Sequence, residues 1–491
     1  MSKNNKKKTK YNWKNLFILE TVLVLVAGAV LFGFYMKGHR KNSEEATATE
    51  AANEFEDISD SNVSERSNVS DDSNSSEESN SSTGDGAAED DIYDEEPSVT
   101  DEETGIVYMP GVTAAMSHPS YWISKQDDPD KVLADSAQIA EINKAMISTS
   151  SCKMYDLENY TEDDGRFGIV VHQTDIKSNP TNSLSNGDDV NFDMNQLAGA
   201  KINEPVVIID ETSEGDFYKV RTLDYEGWVR AEDVAVCSDK EQWLNAWKFD
   251  DKKFLVITTG RIYMEKNHAS PATAHLMLSM GTRLEIADVD SQGLYGGRAA
   301  YNSYPVYIPV RQSDGSYDRE ISLLPENSKV SIGYQELTER NIINTAFEML
   351  GDIYGWGSSL DSEDCSGFIQ SVYKTFGIYL PRDTDQQECV PTKKISLSGM
   401  GQQDRSDTFD SLPAGSPLYM SGHTVMYLGS DDGSYYCINA SGSVRAASGG
   451  KQKTRSIMLC AIDQTRMVSD GSTWFSTFRL ATIPWEMTDE D

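Results

Sequence analysis

Only 43 basic side chains face 79 acidic ones along 491 residues, a net charge of −36 at neutral pH. That balance lacks the basic footprint a nucleic-acid ligand requires and excludes that class of partner. The length predicts about three folded domains rather than one core. The six cysteines, at 152, 237, 365, 389, 437 and 460, form no C-x-x-C pair and cluster with no histidine, so neither a metal nor another cofactor is expected.

The chain opens on a basic tail (1–15) with six lysines and no acid, followed by Leu16–Met36, 21 residues interrupted only by Glu20. That run is long enough to span a bilayer. A cleaved signal peptide competes, because Ala27, Gly28 and Ala29 resemble a cleavage site. The apolar run continues through them as "VLFGFYM", which favours an uncleaved membrane anchor. More lysine before the span than after it predicts an inner amino terminus and an extracytoplasmic body. From Lys41 to Gly105, 22 acids stand against Lys41 and Arg66, with few large apolar residues. Such a stretch buries too little surface to offset its ordering entropy, so 37–114 is expected to be a disordered, self-repelling linker.

Residues 115–164 read as a helical lead-in, with Ser136 as N-cap and Ile139, Ile142 and Met146 on one stripe. "PVVIIDET", "FYKVRTLDY" and "EGWVRAEDVAV" are short β-branched and aromatic runs separated by turns, which predicts a small all-β barrel over 165–239. The same texture recurs over 240–336, with turns at Gly260 and Asp314-Gly315, and predicts a second barrel. From 337 the pattern becomes helical. Ile342, Ile343, Ala346, Phe347 and Leu350 share one face, and Phe368, Ile369, Val372, Tyr373 and Phe376 share another. "LPAGSPLYM", "HTVMYLG" and "SYYCINA" then read as antiparallel strands, with Asp432-Gly433 turning the second into the third. Helices followed by a sheet predict an α+β domain over 337–491.

Cys365 stands at the expected start of a helix, where unpaired N–H groups and the dipole favour thiolate. A nucleophile there needs a base and a group to orient that base. Five of the six histidines precede Cys365; only His423 follows it, opening a strand. Asn439 lies on the next strand, where its side chain can meet the imidazole. The order nucleophile, base, orienter on helix, strand and adjacent strand follows the Cys-His-Asn logic of papain-like enzymes.

With these residues in view, the chain resembles the NlpC-type peptidoglycan endopeptidases, a papain-like family. "YGWG" (354–357), "DCSGF" (364–368), "GIYLPRDT" (377–384), "LPAGSPLYM" (412–420), "HTVMYLG" (423–429) and "INASG" (438–442) carry the resemblance. Upstream, "YWISKQDDPDKVL", "HQTDIKSNPT" and "GWVRAEDVA" look like the lead-in and first bacterial SH3-like barrel of the subgroup acting on γ-D-glutamyl bonds. The resemblance implies Cys365 as nucleophile, His423 as base, Tyr354 beside the oxyanion and substrate pocket, and Asp364, Ser366 and Thr384 along the substrate groove. Asn439 stands where many members have histidine, after a longer hairpin; an amide oxygen can serve the same orienting role.

The resulting expectation is a membrane-anchored, monomeric, extracytoplasmic cysteine peptidase that cuts peptidoglycan stem peptides, or released muropeptides, between D-glutamate and a diamino acid. In the resembling subgroup the first barrel closes one end of the groove, so the substrate carries a free terminal L-alanine. Its ammonium needs an opposing carboxylate, for which Asp364, or Asp193 with Tyr225, are the candidates. Two rivals remain open: a non-catalytic wall-binding protein and a papain-like amidase acting between sugar and peptide. Cys152 with Cys237 and Cys437 with Cys460 are candidate bridges that spacing alone does not decide.

Overall fold

The computed structural model describes residues 98–488 apart from 186–190, 250–251 and 447–448. The basic tail, the expected membrane helix and most of the acidic linker lie outside the described residues. Among the described residues, no helix is long and apolar enough to cross a membrane.

The expected linker ends earlier than its composition predicts. Val99–Thr100 pairs with Val107–Tyr108, and the Asp101 carboxylate accepts from the Glu103 and Thr104 N–H groups to close the turn between them. Beyond that hairpin Val112 is buried beside Trp122, and Tyr436 donates to the Gly111 carbonyl. These few apolar residues find partners in a core formed far along the chain, which local composition does not register.

In the lead-in, helix Ser136–Ser148 is capped by Asp135 rather than by Ser136. The Asp135 carboxylate accepts from Ala137 and Gln138 N–H, and Gln138 bonds back to the Asp135 N–H. This reciprocal box satisfies donors on both sides of the helix start and sets the boundary one residue earlier.

The first all-β unit is one antiparallel sheet of seven strands, in the spatial order Gln196–Ala200, Thr174–Lys177, Glu226–Arg230, Phe217–Arg221, Pro205–Glu211, Arg166–Val170 and Val234–Val236. Ala198 and Ala200 from one edge share a cluster with Val234 from the other, so the sheet curls around a single core. Helix Lys240–Trp247, which the sequence reading omitted, covers the outside of this sheet. Asp239 caps it, and Trp243 packs on Phe167 and donates to the Gly168 carbonyl.

The second all-β unit divides into small sheets. Phe254–Ile257 lies between Arg283–Glu285 and Val330–Ile332, Arg261–Tyr263 pairs with Met277–Ser279, and Ser303–Arg311 with Tyr317–Pro325. Leu255, Leu278, Leu284, Ile308 and Leu324 form their shared core.

The last domain sets helices Glu339–Phe347 and Cys365–Lys374 against a six-stranded antiparallel sheet. Its order is Thr392–Ser396, Leu480–Met487, Pro417–Met420, His423–Asp431, Ser434–Arg445 and Lys451–Ala461. Asp432 and Gly433 both take positive φ, 48° and 81°, as a tight primed hairpin turn requires. Phe368, Ile369, Val372, Tyr373 and Phe376 are all buried in the core that joins helix to sheet. The first residue of that helix is therefore fixed against the strand that begins with His423.

Candidate active site

Cys365 is the first residue of a helix buried along its whole length, and Asp364 caps it by accepting from the Gly367 N–H at 2.9 Å. The Cys365 sulfur lies 3.8 Å from the Thr384 hydroxyl, and the Thr424 backbone N–H is near enough to favour its thiolate. That proximity sets it beside the start of the His423 strand. The helix start alone predicts a lowered pKa, but the structure gives the opposite. Burial, with the Asp364 charge second, pushes the thiol up to about 11 against the Thr424, Thr384 and Arg382 contributions. A cysteine with 8% of its surface exposed is too dry for the dipole to win.

His423 is half-buried, with its ring 5.3 Å from that of Trp474. Its Nε2 lies 3.3 Å from Asn439 Oδ1, and Asn439 is wholly buried. The pair stands on neighbouring antiparallel strands, as the sequence order suggests. Because an amide oxygen only accepts, this contact puts the proton on Nε2 and leaves Nδ1 as the basic nitrogen. Burial draws the imidazole down to about 4, opposed by the Asn439 bond and the Asp364 charge. Burial therefore disfavours charge on both cysteine and histidine, and the resting pair is a thiol and a neutral imidazole.

The other predicted site residues divide. Tyr354 and Ser366 are buried near the start of the Cys365 helix, and Thr384 touches the sulfur. Asp364 has no free oxygen to offer an ammonium: Arg382 grips both of its oxygens at 2.7 and 3.0 Å, and the Gly357 and Gly367 N–H groups donate to it. Asp193 is likewise occupied. Its carboxylate takes Lys177 at 3.0 Å and the Ser185 and Asn195 N–H groups; burial works to raise its pKa, yet these partners hold it at about 2. Its neighbour Phe192 is what reaches the site, with its ring 6.0 Å from Tyr354 and 5.8 Å from Trp356. Burial, and after it the charge of nearby Asp383, the residue before Thr384, raise the pKa of the Tyr225 hydroxyl.

Asp383 and Arg382 were missed. Both lie inside "LPRDT", and the signal was a charged pair locked behind proline at the edge of a predicted groove. Burial raises the Asp383 carboxyl to about 6 despite the Arg382 charge. Also missed was a buried junction beneath the helix. Lys201 donates to Glu363 at 2.9 Å, to Ser371 at 2.6 Å and to the Met280 carbonyl at 2.7 Å. No local pattern announces it, because its members come from three separate units. Ser358, Leu360 and Asp361 in the loop before the helix all adopt positive φ, 55–63°, a sparsely populated conformation for such residues that clusters at functional sites.

The spatial order of helix, strand and adjacent strand agrees with one family. Residues 351–453 match the NlpC/P60 family model. This segment is an NlpC/P60 domain. The chain is 28% identical over 211 residues to a gamma-D-glutamyl-L-lysine dipeptidyl-peptidase of Bacillus cereus, a match covering 38% of this chain and 53% of that protein. It is 26% identical over 227 residues to dipeptidyl-peptidase 6 of Lysinibacillus sphaericus, covering 46% of this chain and 74% of that one. The chain thus spans about half the length of the first relative. An NlpC/P60 endopeptidase from Photobacterium damselae subsp. piscicida shares the fold, with a TM-score of 0.60 at 15% identity over 76% of this chain and 97% of the other. The NlpC/P60 segment contains Cys365, His423 and Asn439.

Proposed function

We propose that the protein is a cysteine peptidase that cuts peptidoglycan stem peptides at the γ-D-glutamyl bond to a diamino acid. One observation carries this reading: the Cys365 sulfur, fixed at a helix start, sits at the head of the strand whose His423 is held through Nε2 by Asn439. The names of the two relatives support the choice of bond. In this reading His423 Nδ1 takes the thiol proton as sulfur attacks the γ-carbonyl, since burial disfavours a standing ion pair. Backbone N–H groups at the helix start, with Tyr354, stabilise the oxyanion. The imidazolium then protonates the leaving amine, and water, deprotonated by His423, releases the acyl-enzyme. Asp383 with Tyr225 replaces Asp364 and Asp193 as the group facing the ammonium of a free terminal L-alanine. The two all-β units are SH3-like barrels, and Leu16–Met36 anchors the enzyme with its body outside the membrane.

Mass spectrometry of free L-Ala-γ-D-Glu-diamino acid stem peptides, with glycan-linked muropeptides beside them, incubated with the full-length protein tests the reading. Release of L-Ala-γ-D-Glu by wild type, and none by Cys365→Ala of unchanged melting temperature, is expected. Cleavage between the sugar lactyl group and L-alanine would make it an amidase, and binding without cleavage a wall-binding protein.

A further inference from the structure

Behind the proposed triad lie two buried thiols that the mechanism does not use. Cys437 and Cys460 face each other directly across neighbouring strands, and both are wholly buried. Both sulfurs approach the same group: Asn439 Nδ2 is 3.4 Å from Cys460 Sγ and 3.8 Å from Cys437 Sγ, with the Met458 carbonyl at 3.4 Å. The spacing-based candidate bridge is thus a pair of free thiols lying against the orienting amide, whereas Cys152 and Cys237 belong to separate cores.

An asparagine is a weaker choice than an ionisable residue for holding an imidazole. Its two ends have nearly the same shape, and turned over it would set N–H against N–H at His423. What keeps the oxygen toward histidine must be acceptors at the other end. The amide nitrogen has two hydrogens, and the structure supplies the Met458 carbonyl and the Cys460 sulfur to take them. Of the two sulfurs Cys460 is the nearer acceptor, at 3.4 Å against 3.8 Å, and Cys437 stands directly opposite it across the strands. A hydrogen bond at the amide nitrogen makes the amide oxygen more negative.

We propose that Cys460, backed by Cys437, is a positioning residue for the proposed base: its sulfur orients and polarises the Asn439 amide, and so strengthens the hold on His423 Nε2–H. This rests on reading His423 as the base and Asn439 as its orienter. Besides Asn439, His423 feels the Asp364 charge at the helix start and packs on the Trp474 ring, and neither touches the amide nitrogen.

The test is a set of full-length variants screened by thermal melting. Cys460→Ala and Cys460→Val remove the acceptor with different changes of volume, so a failure of one to fold leaves the other. Each is expected to lower kcat/KM about fivefold, the loss of one hydrogen bond, and to lower the His423 imidazole pKa, followed by NMR, by roughly half a unit. Cys460→Ser, which restores an acceptor, recovers both. In an Asn439→Ala background the Cys460 variants cause no further loss, because the path through the amide is already gone. Equal losses in both backgrounds, or an unmoved His423 pKa in the folded Ala or Val variant, would overturn the proposal. A wild type without hydrolytic activity would refute the peptidase reading, while the imidazole titration would still decide whether Cys460 acts through Asn439.

Discussion

The two all-β units resemble each other in sequence texture and differ in what they give the NlpC/P60 domain. The first unit reaches the Cys365 helix with polar groups buried at the contact: Lys201 on Glu363 and Ser371, Asp224 on Gln370, and Glu204 on Lys374. It also brings Phe192 to Tyr354 and Tyr225 to Asp383. The second unit meets the same domain through Met280, buried in its core and accepting from Lys201, but otherwise through more exposed contacts such as Arg261 on Asp352 and the Asp361 carbonyl. Similar elements therefore do different work: one forms a wall of the site and the other supports the loop leading to it. Buried charge is the physical marker of that difference, since it persists only when geometry and hydrogen bonding satisfy it.

The largest effect is expected from cutting the first unit's tie. Glu363 is held ionised, at about 2, because the Lys201 and Arg382 charges outweigh burial. Lys201→Met leaves that carboxylate with the Ser358 and Ser371 hydroxyls and the Arg382 charge, and is expected to cost about 3–5 kcal/mol, measured by urea unfolding. Adding Glu363→Gln should recover part of the loss, because the uncompensated charge is then gone. A Lys201→Met protein as stable as wild type would mean that the junction contributes packing only.

Asp193 comes next, and it separates wall from ligand. With a folded pKa of about 2 against 3.8 unperturbed, its carboxylate contributes roughly 2 kcal/mol at neutral pH. The folded pKa is depressed, so this stability is complete above about pH 4 and fades as pH falls toward 2. Asp193→Asn should therefore lower stability at pH 7, with the gap to wild type closing over that acidic window. Because the carboxylate faces Lys177 and its own loop, preference for free over N-acetylated peptides should be unchanged. A lost preference would return Asp193 to the role first expected of it.

That preference should instead depend on Asp383. An ammonium needs the ionised carboxylate, and burial has raised this one to about 6. For L-Ala-γ-D-Glu-diamino acid peptides, kcat/KM is expected to fall as pH drops through 6. Asp383→Asn should remove that limb and reduce the rate on free peptides at pH 7 at least about tenfold, leaving acetylated ones nearly unaffected. A limb that survives in Asp383→Asn would assign it to another group.

What the sequence disclosed follows the range of the interactions involved. The Cys365 helix, the His423 and Asn439 strands and the Asp432-Gly433 turn were legible because each depends on neighbours within a few residues. Strands Arg166–Val170, Thr174–Lys177 and Gln196–Ala200 were not, since short curled strands alternate too briefly to declare a period. The Asp364 and Asp193 carboxylates were recognised as acids near a groove, but their partners, Arg382 and Lys177, lie 18 and 16 residues away. Whether an acid serves a ligand or its own fold depends on such partners. The Cys365 pKa failed as an expectation for the same reason: helix position is local, whereas burial is a property of the whole domain.

The smallest effect should come from the second unit, and it bears most directly on the comparison. Arg261 donates to the Asp352 carboxylate at 2.6 Å and to the Asp361 carbonyl at 2.8 Å, with both charged side chains about a quarter exposed. Solvent screens such a pair, so Arg261→Ala should cost less than about 1 kcal/mol, and less still at high salt. Asp361, however, belongs to the loop in which Ser358, Leu360 and Asp361 hold positive φ shortly before Cys365. Conformations of that kind persist only where their surroundings enforce them. If the second unit merely supports, kcat and KM of Arg261→Ala stay within about twofold of wild type, the scale of an exposed pair. If it holds the loop in its strained form, kcat falls while stability barely changes, because relaxing the loop offsets the lost ion pair. Steady-state kinetics beside urea unfolding separates the two cases, and a selective fall in kcat would make the second unit part of the site as well.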